Sequence, residues 1–123
     1  MQSESSVGQV VMAPEVLLTI VRETVLGTEG VLRLHSAWPT NIGRLLGIHS
    51  AAQGISIHVQ GDALTIDVHI VARIDAQMLT LGRTLQSTVA RSIQDIAGLS
   101  IEAINVHIED VDADGSPVQQ EAA

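Results

Sequence analysis

Residues 75–110 carry a long amphipathic stretch that stops at Gly98 and turns into an alternating Ile/Val segment. The two patterns together demand a helix and then a strand, each with one dry face to bury. Met78, Leu81, Leu85, Val89, Ile93 and Ile96 recur at three- and four-residue steps, the spacing of a single stripe on an α-helix, while Gln77, Gln86, Arg91, Gln94 and Asp95 fall elsewhere. Asp75 suits the N-cap, where a carboxylate accepts from the unpaired amides of the first turn. Gly98 stands where a helix ends in a left-handed residue, and Leu99 where a Schellman turn would fold an apolar side chain back onto Ile93. The helix is therefore expected to end at Ala97. Beyond it Ile104, Val106 and Ile108 alternate with Asn105, His107 and Glu109, the period of a half-buried strand. Ile101 and Ala103 are out of phase with Ile104, which predicts a bulge or a late strand start near Glu102.

The rest of the chain supplies what those faces pack against. Residues 9–12 suit a short edge strand. Pro14 fits the first position of a helix, Glu15 its positive end, and Val16, Leu17, Ile20, Val21 and Val25 its apolar face, with an end near Gly27. Gly30 opens a strand over residues 31–36. Residues 54–60 and 63–73 read as two strands joined by Gly61-Asp62, a length suited to a tight hairpin that sets Ile57 opposite Ile66 and His58 opposite Thr65. Ile55, Ile57, Val59, Leu64, Ile66, Val68 and Ile70 then face the core, and Ser56, His58, Thr65, Asp67, His69 and Arg73 share the other side. Between them, Trp38, Pro39 and Gly43 break regular structure, while Ile42, Leu45, Leu46 and Ile48 are apolar enough for one or two helical turns. A connection this long either caps the edge of the core or presents a partner surface carrying Trp38, Leu45 and Leu46.

Assembled, these elements predict an α+β two-layer sandwich: a mixed β-sheet with two helices packed on one face, the crossover through the long helix making its flanking strands parallel. Residues 8–112 form the single domain. Residues 1–7 read as a disordered tail, and residues 113–123, with Gly115, Pro117 and few large apolar groups, as a disordered acidic one.

Composition removes several function classes. A chain of 123 residues without cysteine excludes thiolate metal sites, disulfides and cysteine nucleophiles together. Its formal net charge of -8, with six arginines and no lysine, repels phosphate backbones and anionic lipid alike. Trp38 is the single aromatic ring of the Phe, Tyr and Trp type, so there is no platform on which to stack bases. Neither nucleic-acid binding nor direct membrane insertion is expected. The start lacks a signal-peptide pattern and no stretch approaches the roughly 20 apolar residues of a membrane span, which fits a cytoplasmic protein.

The polar sheet face holds the only concentration of chemistry. His58, His69 and His107 could stand there near Asp67 and Glu109, and imidazoles with a carboxylate suit zinc. Histidines on alternating strand positions are more often solvated sheet residues, and no helical H-x-x-x-H or H-E-x-x-H spacing exists. A metal- or small-ligand-binding module is thus the alternative reading, not the first. No G-x-S-x-G or phosphate-cradling glycine pattern occurs, so neither a catalytic residue nor a cofactor is assigned.

Several pieces in order carry a family resemblance. Val11-Met12-Ala13-Pro14-Glu15-Val16 with Ile20, then Gly30-Val31, the hairpin at Gly61-Asp62, and Gly98-Leu99 leading to Asn105-Val106-His107-Ile108-Glu109-Asp110-Val111 resemble the alkaline shock protein 23 family of bacterial envelope stress proteins. The resemblance implies a small non-enzymatic scaffold of the cytoplasm that self-associates and is recruited to the inner face of the membrane by a membrane-anchored protein partner. It carries over no active site. Partner contacts are expected at Trp38, Leu45, Leu46, His58, Asp67, His69 and His107. The chain departs from the family pattern in lacking lysines and in placing Trp38 and Pro39 where relatives tend to be glycine-rich.

Overall fold

The computed structural model describes residues 2–5, 7–36, 50–52, 54–61 and 63–113. Two strands, β1 (Gln2–Ser5) and β2 (Gly8–Val11), precede helix α1 (Pro14–Leu26) and strand β3 (Val31–Leu34). Then come β4 (Ser50–Ala52), β5 (Ile55–Gln60), β6 (Ala63–Arg73), helix α2 (Met78–Ser92) with a π-helical turn (Ile93–Ala97), and β7 (Ser100–Asp112). The expected two-layer α+β arrangement is what forms.

β6 is the axis of the main sheet. On one edge it pairs with β7 in parallel, from Ala63 beside Ser100 to Arg73 beside Asp112. On the other edge it pairs antiparallel with two strands in succession, β5 along Ala63 to Val68 and β3 along Ile70 to Ala72. The changeover falls at His69, whose amide donates to the Gly54 carbonyl and whose carbonyl accepts from the His35 amide, both at 2.8 Å. Gly54 has φ of +79°, and a Cβ built on it would lie 3.0 Å from the carbonyl oxygens of His35 and His69. A glycine is therefore what lets β3 and β5 meet end to end. β4 extends the sheet beyond β5.

The even-numbered side of β6 makes the core. Leu64, Ile66, Val68, Ile70 and Ala72 pack with Ile55, Ile57 and Ile104, and both helices cover them through Leu17, Leu18, Val21 and Val25 and through Leu81, Leu85, Val89 and Ile93. Each such Leu, Ile or Val contributes about 1.5–3 kcal/mol relative to exposure. The helices are also tied by polar groups: the Thr24 hydroxyl donates to the Ile20 carbonyl at 2.7 Å and lies 3.2 Å from the Ser92 hydroxyl. Gln86 donates to the Ile104 carbonyl and so joins α2 to β7.

Several local expectations need correction. Asp75 does not cap α2; Gln77 occupies the N-cap without a side-chain bond, and Asp75 instead takes a two-pronged bond from the Arg73 guanidinium. Ile96 leaves the buried stripe and is 65% exposed, because the π turn is wider than an α turn and rotates that position outward while Ala97 stays packed. Gly98 closes the turn with φ of +71°, its amide donating to the carbonyls of Ile93 and Gln94. Residues 2–5, where a frayed tail is expected, form β1, and β2 pairs with it in a separate two-stranded sheet. The strand after Gly30 stops at Leu34, two residues early. β4 falls within a segment where helical turns are expected. Trp38, Leu45 and Leu46 lie outside the described residues.

Register accounts for the rest. In β7 the pairing skips Glu102, the bulge that the hydrophobic phase predicts, and skips Glu109 at a second, unforeseen bulge. The hairpin places Ile57 opposite Ile66 and His58 opposite Thr65 as expected.

Candidate functional site

On the face turned away from the helices, alternation presents Thr65, Asp67, His69, Val71 and Arg73 from β6 and Asn105, His107 and Glu109 from β7. That face is not uniformly wet: Ser56 and Val71 are buried there at 2% and 3% exposure, outside the helix-covered core.

The parallel register sets His69 directly beside His107. Their rings stack with centroids 4.3 Å apart and planes 9° from parallel. His69 Nδ1 lies 2.6 Å from Glu109 Oε2, and its side chain is only 12% exposed. His107 Nε2 lies 3.0 Å from Asp67 Oδ1, and the Asn105 amide donates to the same oxygen at 3.1 Å. The hydrogen bond from His69 holds the Glu109 carboxyl below its usual range against the opposing effect of burial, helped by the charges of His69, His35 and His107. The His69 nitrogen, a His107 nitrogen and a Glu109 oxygen all fall within 4.8 Å of one another.

Of the four face residues expected to make partner contacts, Asp67, His69 and His107 converge in this way. His58, on β5 opposite Thr65, stands outside the three-residue group. Glu109 belongs at the centre of the cluster, and His35 is an addition that the sequence could have signalled: it follows the core-facing Leu34, so alternation turns it to the histidine side. Asn105, which alternation places on the strand surface, orients Asp67.

The comparisons with known proteins bear on this surface. The alkaline shock protein 23 family, described as having a cell envelope-related function, matches residues 2–113. The chain belongs to that family. Similar relatives are the uncharacterized protein YqhY of Bacillus subtilis, 24% identical over 90% of this chain and 82% of that protein, and the uncharacterized protein Spy1535 of Streptococcus pyogenes, 26% identical over 90% and 84%. Among solved structures a MamM CTD variant in a zinc form is a distant likeness, with 14% identity, TM-score 0.49 and coverage of 84% of this chain and 90% of that one.

The family match spans β1 to β7 and so includes every residue of the histidine cluster. Its description names the envelope and no reaction. No helix among the described residues is long and apolar enough to cross a membrane. Concavities lie elsewhere: one at the start of α2, where Glu29, Arg73 and Asp75 meet Gly30 and Leu81, one along α2 at Leu79, Arg83 and Ser87, and a groove between α2 and β7 lined by Met78, Leu79, Gln86, Val106 and Ile108.

Proposed function

We propose that this alkaline shock protein 23 family member is a non-enzymatic scaffold of the cell envelope that acts by self-association and by holding protein partners. The observation that carries this reading is the open side of β7. Among the described residues this 13-residue strand pairs with β6 alone, leaving a row of backbone donors and acceptors at the sheet edge. Beside that edge runs the groove of Met78, Leu79, Val106 and Ile108, and Leu79 is 73% exposed. Edge pairing of this kind takes its affinity from main-chain hydrogen bonds and its specificity from adjacent side-chain pockets.

Glu102, Glu109, Asp110 and Asp112 on β7, together with its two bulges, keep the edge from pairing indiscriminately. Like charges brought together there, on a chain of net charge -8, make association stronger as salt screens them. A cytoplasmic location beneath the membrane, reached through a membrane-anchored protein partner, belongs to the same reading. So do contacts through the face of His58, Asp67, His69 and His107 and through Trp38, Leu45 and Leu46.

Light scattering on a size-exclusion column across a concentration series tests the scaffold. A mass that grows with concentration, and grows further at higher salt, is expected. Leu79→Glu should shift the distribution toward monomer while leaving the unfolding midpoint within about 0.5 kcal/mol of the parent, as for an exposed position. A strict monomer at every concentration contradicts the reading.

A further inference from the structure

We infer that His69, His107 and Glu109 bind a divalent transition-metal ion of the zinc type on the outer face of the sheet, with Asp67 and Asn105 orienting His107. This site lies on the sheet face and not at the β7 edge; it shares His69 and His107 with the face contacts proposed above but does not rest on self-association through that edge.

The donors are the right kind and arrive from the right places. Imidazole nitrogen and carboxylate oxygen together suit zinc and its first-row neighbours, while magnesium and calcium prefer all-oxygen sets. The adjacent strands β6 and β7 present the two rings side by side through the His69–His107 register. Glu109 is the residue that the second β7 bulge leaves unpaired, and its oxygen reaches His69 Nδ1. Bulges of this kind re-aim a side chain beside functional sites.

A second observation is independent of the first. His107 Nε2 is held by Asp67, and Asp67 is in turn held by Asn105. With the proton on Nε2, the lone pair is left on Nδ1 for an ion. A carboxylate bonded to the far nitrogen of a ligating imidazole is the usual outer support of a metal site, fixing the tautomer and raising the basicity of the ring. Charge favours the same conclusion. Asp67 and Glu109 set two carboxylates against the two rings; a dication balances them.

To take an ion the donors must rearrange, because imidazole lone pairs lie in the ring plane and the His69 and His107 rings now stack 9° from parallel. Zinc holds nitrogen and oxygen at about 2.0–2.2 Å, so ligands at a tetrahedral angle lie about 3.4 Å apart. The present donors lie within 4.8 Å of one another. The 2.6 Å contact of His69 Nδ1 with Glu109 Oε2 opens to admit the ion, and the His107 ring turns out of the stack about its bond to Asp67. Glu109 and His107 are 34% and 43% exposed at their side chains, while the more buried His69 serves as the fixed post. The ion takes the place of the hydrogen bond between His69 Nδ1 and Glu109 Oε2. Three protein ligands leave a fourth position for water or for a group from a partner.

Isothermal titration of the untagged full-length protein with zinc chloride, paired with imidazole nitrogen NMR, decides the matter. Saturation near about one zinc per chain is expected, with shifts at His69 and His107 and not at His58, and no response to magnesium. His107→Ala and Glu109→Gln should each weaken binding at least tenfold, and Asp67→Asn by about 10–100-fold as a positioning residue. His58→Ala should change nothing. Zinc titrating alike with the parent and with a folded His69→Ala/His107→Ala variant, or no saturable binding by the parent, overturns the site. A zinc-binding strict monomer would leave it standing and remove the scaffold reading alone.

Discussion

Gly54 and Gly98 both sit at positive φ, +79° and +71°, but their surroundings differ. Around Gly98 a Cβ meets nothing within 4 Å, whereas around Gly54 it meets two carbonyl oxygens and the Leu34 Cβ at 3.0 Å. Gly98→Ala should therefore cost about 1–2 kcal/mol, the left-handed penalty alone. Gly54→Ala should cost more, on the order of 3 kcal/mol, since backbone must also move. Chemical denaturation of the two variants checks the order. At Asp112, the Ala113 amide and then the Arg33 guanidinium hold the carboxyl below its usual value of 3.8. Because the folded value is depressed, the stabilisation is present above about pH 3.8, the unfolded reference, and is lost as pH falls through the folded value. The larger cause is the amide, so Arg33→Ala should raise the Asp112 midpoint without returning it to 3.8; carboxyl NMR titration reads this, and full return contradicts it. The open space around Gly98 and the crowding around Gly54 could not be read from the sequence. Gly98 is flagged by the end of an apolar stripe, but Gly54 is crowded only because β3 and β5 share one edge of β6.

At the scale of elements, periodicity carried most of the information. α1 begins at Pro14 and α2 keeps its three- and four-residue stripe through Ile93 because no alternative burial suits those residues. Truncating that stripe at its centre, Leu85→Ala, should cost about 2–5 kcal/mol by urea denaturation; a smaller loss would mean the cavity collapses. The π turn is not legible in the sequence, because Ile93, Ile96 and Ala97 fit an α stripe equally well and only main-chain geometry chooses between them. β1 and β4 were hidden for another reason: Gln2-Ser3-Glu4-Ser5 and Ser50-Ala51-Ala52 hold no large apolar residue to reveal a period. The bulge at Glu109 did leave a trace. Val111 stands three residues from Ile108, out of strand phase, and it pairs with Ala72 on the core side. The histidine face followed from simple alternation, and the parallel crossover was expected; what the sequence lacked was the register that sets His69 against His107.

For the whole molecule, the layers explain why function should reside in surfaces. The helices and the even side of β6 consume the large aliphatic residues, and the outer face and the β7 edge are left for the ion and partner contacts proposed above. A net charge of -8, without lysine, repels phosphate backbones and anionic lipid. The outer face is not wholly open, as buried Ser56 and Val71 show. The family match over residues 2–113 extends the shared architecture across both the edge and the face. The most direct measurement is amide hydrogen exchange of β7 at low and high protein concentration. Slower exchange along the outward-pointing amides of β7 as concentration rises, with α1 unchanged, is the predicted result. Identical β7 exchange at both concentrations would contradict association through that edge.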